Sequence, residues 1–121
     1  MSNNVVLLKY DILQDVTHCF TTRTGGVSTG GQTSLNLSFS REKSADNVRE
    51  NYKRAAEALG VDYNKLTRVP QKHTDRVLKV TKELIGIGVS KNFTEEILSC
   101  GYDAMITDVK GAVLCTSHAD C

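Results

Sequence analysis

Apolar and polar residues alternate along this chain with a period that changes from strand-like to helix-like and back. β-Branched and apolar residues dominate the strand-like parts, as is typical of extended segments. Seven segments have this character, at residues 5–8, 16–22, 34–39, 67–73, 75–81, 103–107 and 112–117. The pattern therefore predicts several short strands, with a glycine-rich loop at 23–34 and a second loop at 86–92 between them.

A helix is predicted at residues 45–59. Its apolar positions recur with helical spacing and form one stripe, made of Val48, Tyr52, Ala55, Ala56 and Leu59. Ser44 precedes the stripe as a candidate N-cap, and Gly60 follows it where a glycine commonly ends a helix. Glu50 and Arg54 are four residues apart, which favours an ion pair on the outer face.

The order of elements is strands, a helix and further strands, with a second short helix predicted at 93–99. This order predicts an α+β fold, a mixed sheet with packed helices, rather than regular βαβ alternation. The length of 121 residues fits one domain. Because the chain stops at Cys121, soon after the apolar stretch 111–116, we expect it to be a fragment of a larger domain.

Charge and composition exclude some partners. Fifteen Lys and Arg balance fourteen Asp and Glu, and aromatic residues make up only 6%. Nucleic acid is therefore not an expected partner. The longest purely apolar run, 5–8, is far too short to cross a bilayer, and the N-terminus lacks the features of a signal peptide. We expect a cytoplasmic protein that does not bind membranes.

The histidines and cysteines carry the first candidate chemistry. No two cysteines are spaced as in a zinc ribbon or a thioredoxin-type motif. His73 lies in QKHTD, and His118 and Cys121 lie in SHADC after a predicted strand. Imidazole and thiolate are typical zinc ligands, and a catalytic zinc keeps three protein ligands. His73, Cys121 and either His118 or a residue outside the chain would supply them, although ordinary surface histidines would also fit the sequence.

A second group of candidates surrounds the glycine-rich loop. Arg23, Gly25 and Gly26 begin the run RTGGVSTGG, whose backbone amides and guanidinium would suit an anion such as phosphate. A tight connection with a solvated arginine is the alternative. Asn36 stands between two leucines and would orient a loop or a ligand. Asp120, next to Cys121, would orient a ligand or act as a general acid–base. Structural roles remain open for both.

Six motifs, in this order, resemble the YfiH/laccase-domain family, whose members are also called multicopper polyphenol oxidoreductases and purine nucleoside phosphorylases. They are FTTRTGGVS (20–28), SLNLS (34–38), DNVRENYKRAAEALG (46–60), QKHTDRV (71–77), DAMITD (103–108) and HADC (118–121). The resemblance implies zinc-dependent phosphorolysis of adenosine, inosine, guanosine and methylthioadenosine, and deamination of adenosine. His73 and Cys121 match two of the family's metal ligands, and the third is expected beyond residue 121. Because family members are longer than this chain, the resemblance implies that residues 1–121 are the N-terminal part of the domain, and we expect this part alone to be inactive.

Three other interpretations remain. Copper would make the chain a polyphenol oxidase, but blue-copper sites use an axial methionine, and neither Met1 nor Met105 lies near a proposed ligand in sequence. A thiol hydrolase would use Cys121 as the nucleophile and His73 as the base. A non-catalytic half-domain would pair with another chain, for instance as a homo-oligomer.

Overall fold

The computed structural model describes residues 4–118 of the chain. The chain divides into two compact units, one ending at Tyr63 and the other beginning at Asn64. Each unit has its own set of elements, and each is described below by itself.

The first unit holds a short ribbon and the long helix. Strand β1 (Leu7–Leu8) pairs antiparallel with β2 (Phe20–Thr21). A 3₁₀ turn lies between these strands, and a second one, Gly30–Gln32, interrupts the glycine-rich loop. Helix α1 (Ala45–Leu59) follows that loop and supplies most of the buried residues of this unit.

Helix α1 has the predicted boundaries because its end signals are local. The Ser44 side chain accepts a hydrogen bond from the Asn47 amide at 3.2 Å, which satisfies one of the free N–H groups of the first turn. Gly60 ends the helix in the left-handed region, with φ at 83°. The Glu50–Arg54 ion pair forms at 3.1 Å, with both side chains partly exposed, so we assign it only a few tenths of a kcal/mol.

The apolar stripe of α1 is the buried face. Val48 has no exposed surface, and burying such a side chain contributes about 1.5–3 kcal/mol. The Tyr52 hydroxyl donates to the Leu37 carbonyl at 2.7 Å, and its ring stacks on Phe39 with centroids 5.9 Å apart. The helix thus packs its buried face on the chain that precedes it.

The second unit contains two parallel pairs of strands and one short helix. Strand β3 (Leu66–Thr67) pairs with β6 (Val113–Leu114), and β4 (Val77–Val80) pairs with β5 (Ala104–Thr107). Parallel neighbours require a crossover connection, and both crossovers pass through helix α2 (Glu95–Cys100). The core of this unit is aliphatic and consists of Leu66, Val69, Val80, Ile85, Ile87, Val89 and Ile97.

The predicted α+β class is confirmed, but within residues 4–118 the strands are shorter than predicted and form three two-stranded sheets. The segment 34–39 is not a strand, because the Asn36 side chain bonds both the amide and the carbonyl of Ser38 and bends the chain there. The segment 16–22 retains only β2, since the His18 ring instead contacts the Val16 carbonyl and the Tyr10 amide.

No helix among residues 4–118 is long and apolar enough to cross a membrane.

Candidate functional site

The QKHTD segment of the second unit is fixed to the chain that leads to HADC. Cys115 N donates to the Thr67 carbonyl at 2.8 Å, which continues the β3–β6 pairing. Further along, Ser117 N donates to Gln71 Oε1 at 2.7 Å, and Gln71 Nε2 donates to the Ser117 carbonyl at 3.1 Å. The structure therefore brings Gln71, two residues before His73 in sequence, beside Ser117, which lies four residues before Cys121 in sequence.

A single carboxylate holds the backbone around His73. Asp103 Oδ1 accepts hydrogen bonds from Lys72 N at 3.1 Å, Thr74 N at 2.8 Å and Thr74 Oγ1 at 3.2 Å. Asp103 Oδ2 accepts one from His73 N at 3.2 Å. Three successive amides that converge on one anion form an anion-binding nest, and here the anion belongs to the protein itself.

These hydrogen bonds hold the pKa of the Asp103 carboxyl below its ordinary value. The Thr74 amide is the largest influence that lowers its pKa, and the Lys72 amide, the Thr74 hydroxyl and the His73 amide act in the same direction against some desolvation. Sequence reasoning did not single out Asp103. Its position at the start of the DAMITD motif, immediately before β5, was the available signal.

His73 has an unusual backbone for a residue with a side chain. Its φ is 60°, and among residues 4–118 no other non-glycine residue has a positive φ. Such a conformation costs about 1–3 kcal/mol and persists where the surroundings enforce it. The side chain is exposed, and its ring makes no hydrogen bond to the described residues. An exposed imidazole on an enforced backbone is suited to binding a ligand.

The other predicted metal-site residues have different positions. His118 is exposed, and its Nε2 lies 2.7 Å from Thr116 Oγ1. Cys121 and Asp120 lie outside the described residues. Within residues 4–118, no three His, Cys, Asp or Glu side chains are grouped as a metal site. The donor chemistry still fits zinc, because the His73 imidazole makes no hydrogen bond within residues 4–118 and the HADC motif would add a thiolate.

The glycine-rich loop of the first unit is tightly packed. Gly25 has φ at 98°, and a Cβ atom there would lie 2.5 Å from Val5 Cα. A Cβ atom on Gly26 would lie 2.0 Å from the Ser34 carbonyl oxygen. The Gly26 amide donates to Ser34 Oγ at 3.1 Å. Both glycines therefore have a packing role, and their predicted contact with substrate stays a prediction.

Arg23 is exposed at the entrance of this loop. Its Nε and Nη2 donate to the Thr33 carbonyl at 3.3 and 3.2 Å, which fixes one side of the guanidinium. Its own carbonyl accepts the amides of Ser34 and Leu35, both at 3.0 Å. The side chain is therefore oriented by the loop while two of its donors are already used.

Asn36 belongs to a polar network beneath the loop. Its Nδ2 donates to Glu42 Oε1 at 2.8 Å, and Ser28 and Asn47 donate to the same carboxylate. These hydrogen bonds, with that of Ser28 the strongest, hold the pKa of the Glu42 carboxyl below its ordinary value of 4.5. Asn36 thus orients the loop, and ligand contact by its side chain stays a prediction.

Asn51 ties this network to helix α1. It is fully buried, its Oδ1 accepts the Val27 amide at 2.8 Å, and its Nδ2 donates to Ser28 Oγ at 2.9 Å and to the Asn36 carbonyl at 2.8 Å. Sequence reasoning missed Asn51. The signal was its place three residues after Val48, on the buried face of the helix.

The predicted residues therefore fall into two groups. Arg23, Gly25, Gly26 and Asn36 share one loop system in the first unit, joined through Ser34 and Asn51. In the second unit, Asp103 holds the backbone at His73, and Gln71 joins the same segment to Ser117. The contact of either group with a ligand stays a prediction.

Comparison with known proteins agrees with this α+β arrangement and its paired motifs. The model of the multi-copper polyphenol oxidoreductase laccase family matches residues 17–121. The chain belongs to this family, as its six motifs predict.

Named relatives and a solved structure extend the comparison. Over 106 residues the chain is 35% identical to a purine nucleoside phosphorylase of Deinococcus radiodurans, covering 88% of this chain and 36% of the relative. It is 33% identical over 121 residues to a purine nucleoside phosphorylase of Bacteroides thetaiotaomicron, covering 95% and 43%. The crystal structure of the hypothetical protein YfiH of Bacillus licheniformis has a TM-score of 0.65 and 27% identity, covering 79% and 35%. The chain thus spans less than half the length of these proteins.

Proposed function

We propose that this chain is the N-terminal part of a zinc-dependent purine nucleoside phosphorylase that also deaminates adenosine. The observation that carries the proposal is the pairing of Gln71 with Ser117, which holds QKHTD beside the chain leading to HADC. The names of the two relatives, which match most of this chain, support the reaction class. The proposed substrates are inorganic phosphate and adenosine, inosine, guanosine or methylthioadenosine.

His73 and Cys121 are the proposed zinc ligands, with a third ligand from outside residues 1–121. Zinc, when bound, would act as a Lewis acid and would make water a stronger nucleophile near neutral pH. His73 meets the requirement for a ligand because its ring is exposed while its backbone is fixed by Asp103. Asp120 is the proposed general acid–base, since it adjoins Cys121 in the sequence.

Arg23 is the proposed contact for phosphate. In phosphorolysis a phosphate oxygen forms a bond to the ribose C1′ while the C1′–N bond to the base breaks, and the base leaves with that electron pair and gains a proton. A guanidinium held on the Thr33 carbonyl has lost part of its freedom, so it orients an anion at a smaller entropic cost. The conformation of the loop that carries Arg23 would be maintained by Asn36, Gly25 and Gly26.

A copper polyphenol oxidase is the second candidate, because the name of the matched family describes one. Of the two methionines, Met105 is half-buried in β5, and Met1 lies outside the described residues. The thiol hydrolase and the non-catalytic, oligomeric half-domain are the remaining alternatives. We further propose that the protein acts in the cytoplasm.

The test uses the natural protein at its full cellular length. Zinc and copper content are measured on the purified protein, and base release from each nucleoside is followed with and without phosphate. The proposal predicts bound zinc, base release that requires phosphate, and loss of most of that release in Arg23→Gln but not in the control Arg41→Gln, which also changes an exposed arginine. Base release that ignores phosphate, or phenol oxidation that requires copper, would reject it.

A further inference from the structure

The loop that carries His73 is built around one carboxylate. Asp103 accepts four hydrogen bonds from residues 72–74, and three of them come from successive main-chain amides. A carboxylate oxygen lies within hydrogen-bond distance of each amide, so the loop cannot turn around His73 without losing at least one of these bonds.

Asp103 is itself fixed by the strands. Its amide donates to the Arg76 carbonyl at 3.1 Å, immediately before the register pair Val77 and Ala104 at the start of β4 and β5. The Tyr102 amide donates to the Pro70 carbonyl at 3.0 Å. The carboxylate is therefore presented to the loop from a backbone that is hydrogen-bonded on both sides of it.

The side chain of Lys72 attaches the loop to helix α2 and to Gly101. Its Nζ donates to the Leu98 carbonyl at 2.6 Å, at the end of α2. Its aliphatic stem passes over Gly101, where a Cβ atom would lie 2.7 Å from Lys72 Cδ. The residue before His73 is therefore fixed by its side chain, and the residue after it is fixed by its hydroxyl on Asp103.

We infer that Asp103 is a positioning residue for the metal site: its carboxylate holds His73 in the left-handed conformation from which the imidazole binds zinc. The inference rests on the proposed function, because it takes His73 as a zinc ligand. Asp103 acts through the backbone and does not contact the metal. Without it, His73 would relax toward negative φ, because a side chain favours that region, and the ring would be displaced.

The test compares Asp103→Asn with Asp108→Asn in the natural protein at full length. Both changes remove one negative charge, but Asp108 is exposed just after β5 and outside the loop. In Asp103→Asn an NH₂ group replaces one of the two acceptor oxygens. Because this group can only donate, at least one main-chain amide of residues 72–74 loses its acceptor. Three quantities are measured: zinc affinity by chelator competition, the visible absorption spectrum of the Co²⁺-loaded protein, and φ of His73 from NMR scalar couplings.

The expected result is zinc binding weakened about tenfold in Asp103→Asn, which is typical of residues that orient a metal ligand. The cobalt spectrum should change, and φ of His73 should leave the left-handed region, while Asp108→Asn matches the parent. A folded Asp103→Asn protein with parental zinc affinity and an unchanged cobalt spectrum would overturn the inference. Parental φ at His73 would overturn it as well.

A milder pair of variants applies if Asp103→Asn fails to fold. Thr74→Val removes the hydroxyl bond to Asp103 Oδ1, and Thr74→Ser keeps it. Weaker zinc binding in the valine variant, restored in the serine variant, supports the inference, and equal binding in both opposes it. If the parent binds no zinc, the proposed metal site is rejected, whereas the coupling measurement on His73 still decides whether Asp103 sets this backbone.

Discussion

Gln71 and Ser117 are joined by both ends of one carboxamide, although 46 residues separate them in sequence. The Gln71 side chain bonds Ser117 in the way that the backbone of a neighbouring strand would. It donates to the Ser117 carbonyl and accepts from the Ser117 amide. This pair extends the parallel alignment of β3 and β6 beyond the last main-chain bond, from Cys115 to Thr67. The alignment continues to within four residues of Cys121.

Replacing Gln71 by leucine should therefore loosen the chain before HADC. Both hydrogen bonds are exposed, so we expect a loss of only about 1 kcal/mol in the free energy of unfolding. The amide of Ser117 should exchange with solvent much faster. Hydrogen exchange followed by NMR measures this, with Gln14→Leu as the control at another exposed glutamine. Unchanged exchange at Ser117 would show that the carboxamide does not hold this chain.

Asn51→Ala should be among the most destabilising single changes in the first unit. It leaves the Val27 amide without its acceptor and removes both bonds donated by Asn51 Nδ2, in a place without access to water. We expect about 3 kcal/mol of lost stability, because a buried unsatisfied group costs about 1–3 kcal/mol and several groups are affected. Chemical denaturation measures it. The control Glu57→Ala changes an exposed residue of the same helix, and equal losses in both would refute this role.

Glu42 should make stability depend on acid. Its folded pKa lies below the ordinary value of 4.5, chiefly because the Ser28 hydroxyl donates to the carboxylate. The charged form is thus favoured by folding, and its contribution is complete above pH 4.5 and is lost as the pH falls through the folded pKa. Unfolding measured from pH 7 to pH 3 should show a smaller acid-induced loss in Glu42→Gln than in the parent. An identical pH profile would contradict the network at Ser28, and Glu57→Gln serves as the control.

Two glycines of the same loop should respond in opposite ways to alanine. A Cβ atom on Gly26 would collide with the Ser34 carbonyl, so Gly26→Ala should destabilise the protein by about 3 kcal/mol. A Cβ atom on Gly31 has nothing within 4 Å, and its φ is not in the left-handed region. Gly31→Ala should stabilise by about 0.4–1 kcal/mol by reducing the entropy of the unfolded chain. Thermal unfolding measures both, and equal effects would refute the close packing at Gly26.

The parts of the fold that were predicted correctly depend on local signals. Helix α1 has its stripe, its serine cap and its terminal glycine within residues 44–60, so its bounds could be predicted from the local sequence. The strands could not be delimited in this way, because their ends depend on distant partners. Residues 34–39 look like a strand, but Asn36 bonds Ser38 and Glu42 instead of a neighbouring strand.

The candidate site also contains residues that the local sequence identifies and residues whose role depends on distant partners. His73 could be selected because it lies in QKHTD, one of the six motifs that resemble the family, whereas its residue type alone also fits an ordinary surface histidine. Asp103 could not, because an aspartate before a strand is common and its function depends on a loop thirty residues earlier in the sequence. Asn51 was hidden for a related reason: a helical pattern identifies a buried position but not the three groups that its carboxamide satisfies.

We propose that His73 is a zinc ligand required for phosphate-dependent cleavage of purine nucleosides. The most direct measurement is zinc content together with phosphorolysis in the full-length protein, for the parent, His73→Ala and His73→Asn. Asparagine also tolerates positive φ, so the second variant keeps the backbone and removes only the imidazole. We expect both variants to lose zinc and nearly all turnover. Full zinc content with full turnover in His73→Ala would show that His73 is neither a required zinc ligand nor needed for the reaction.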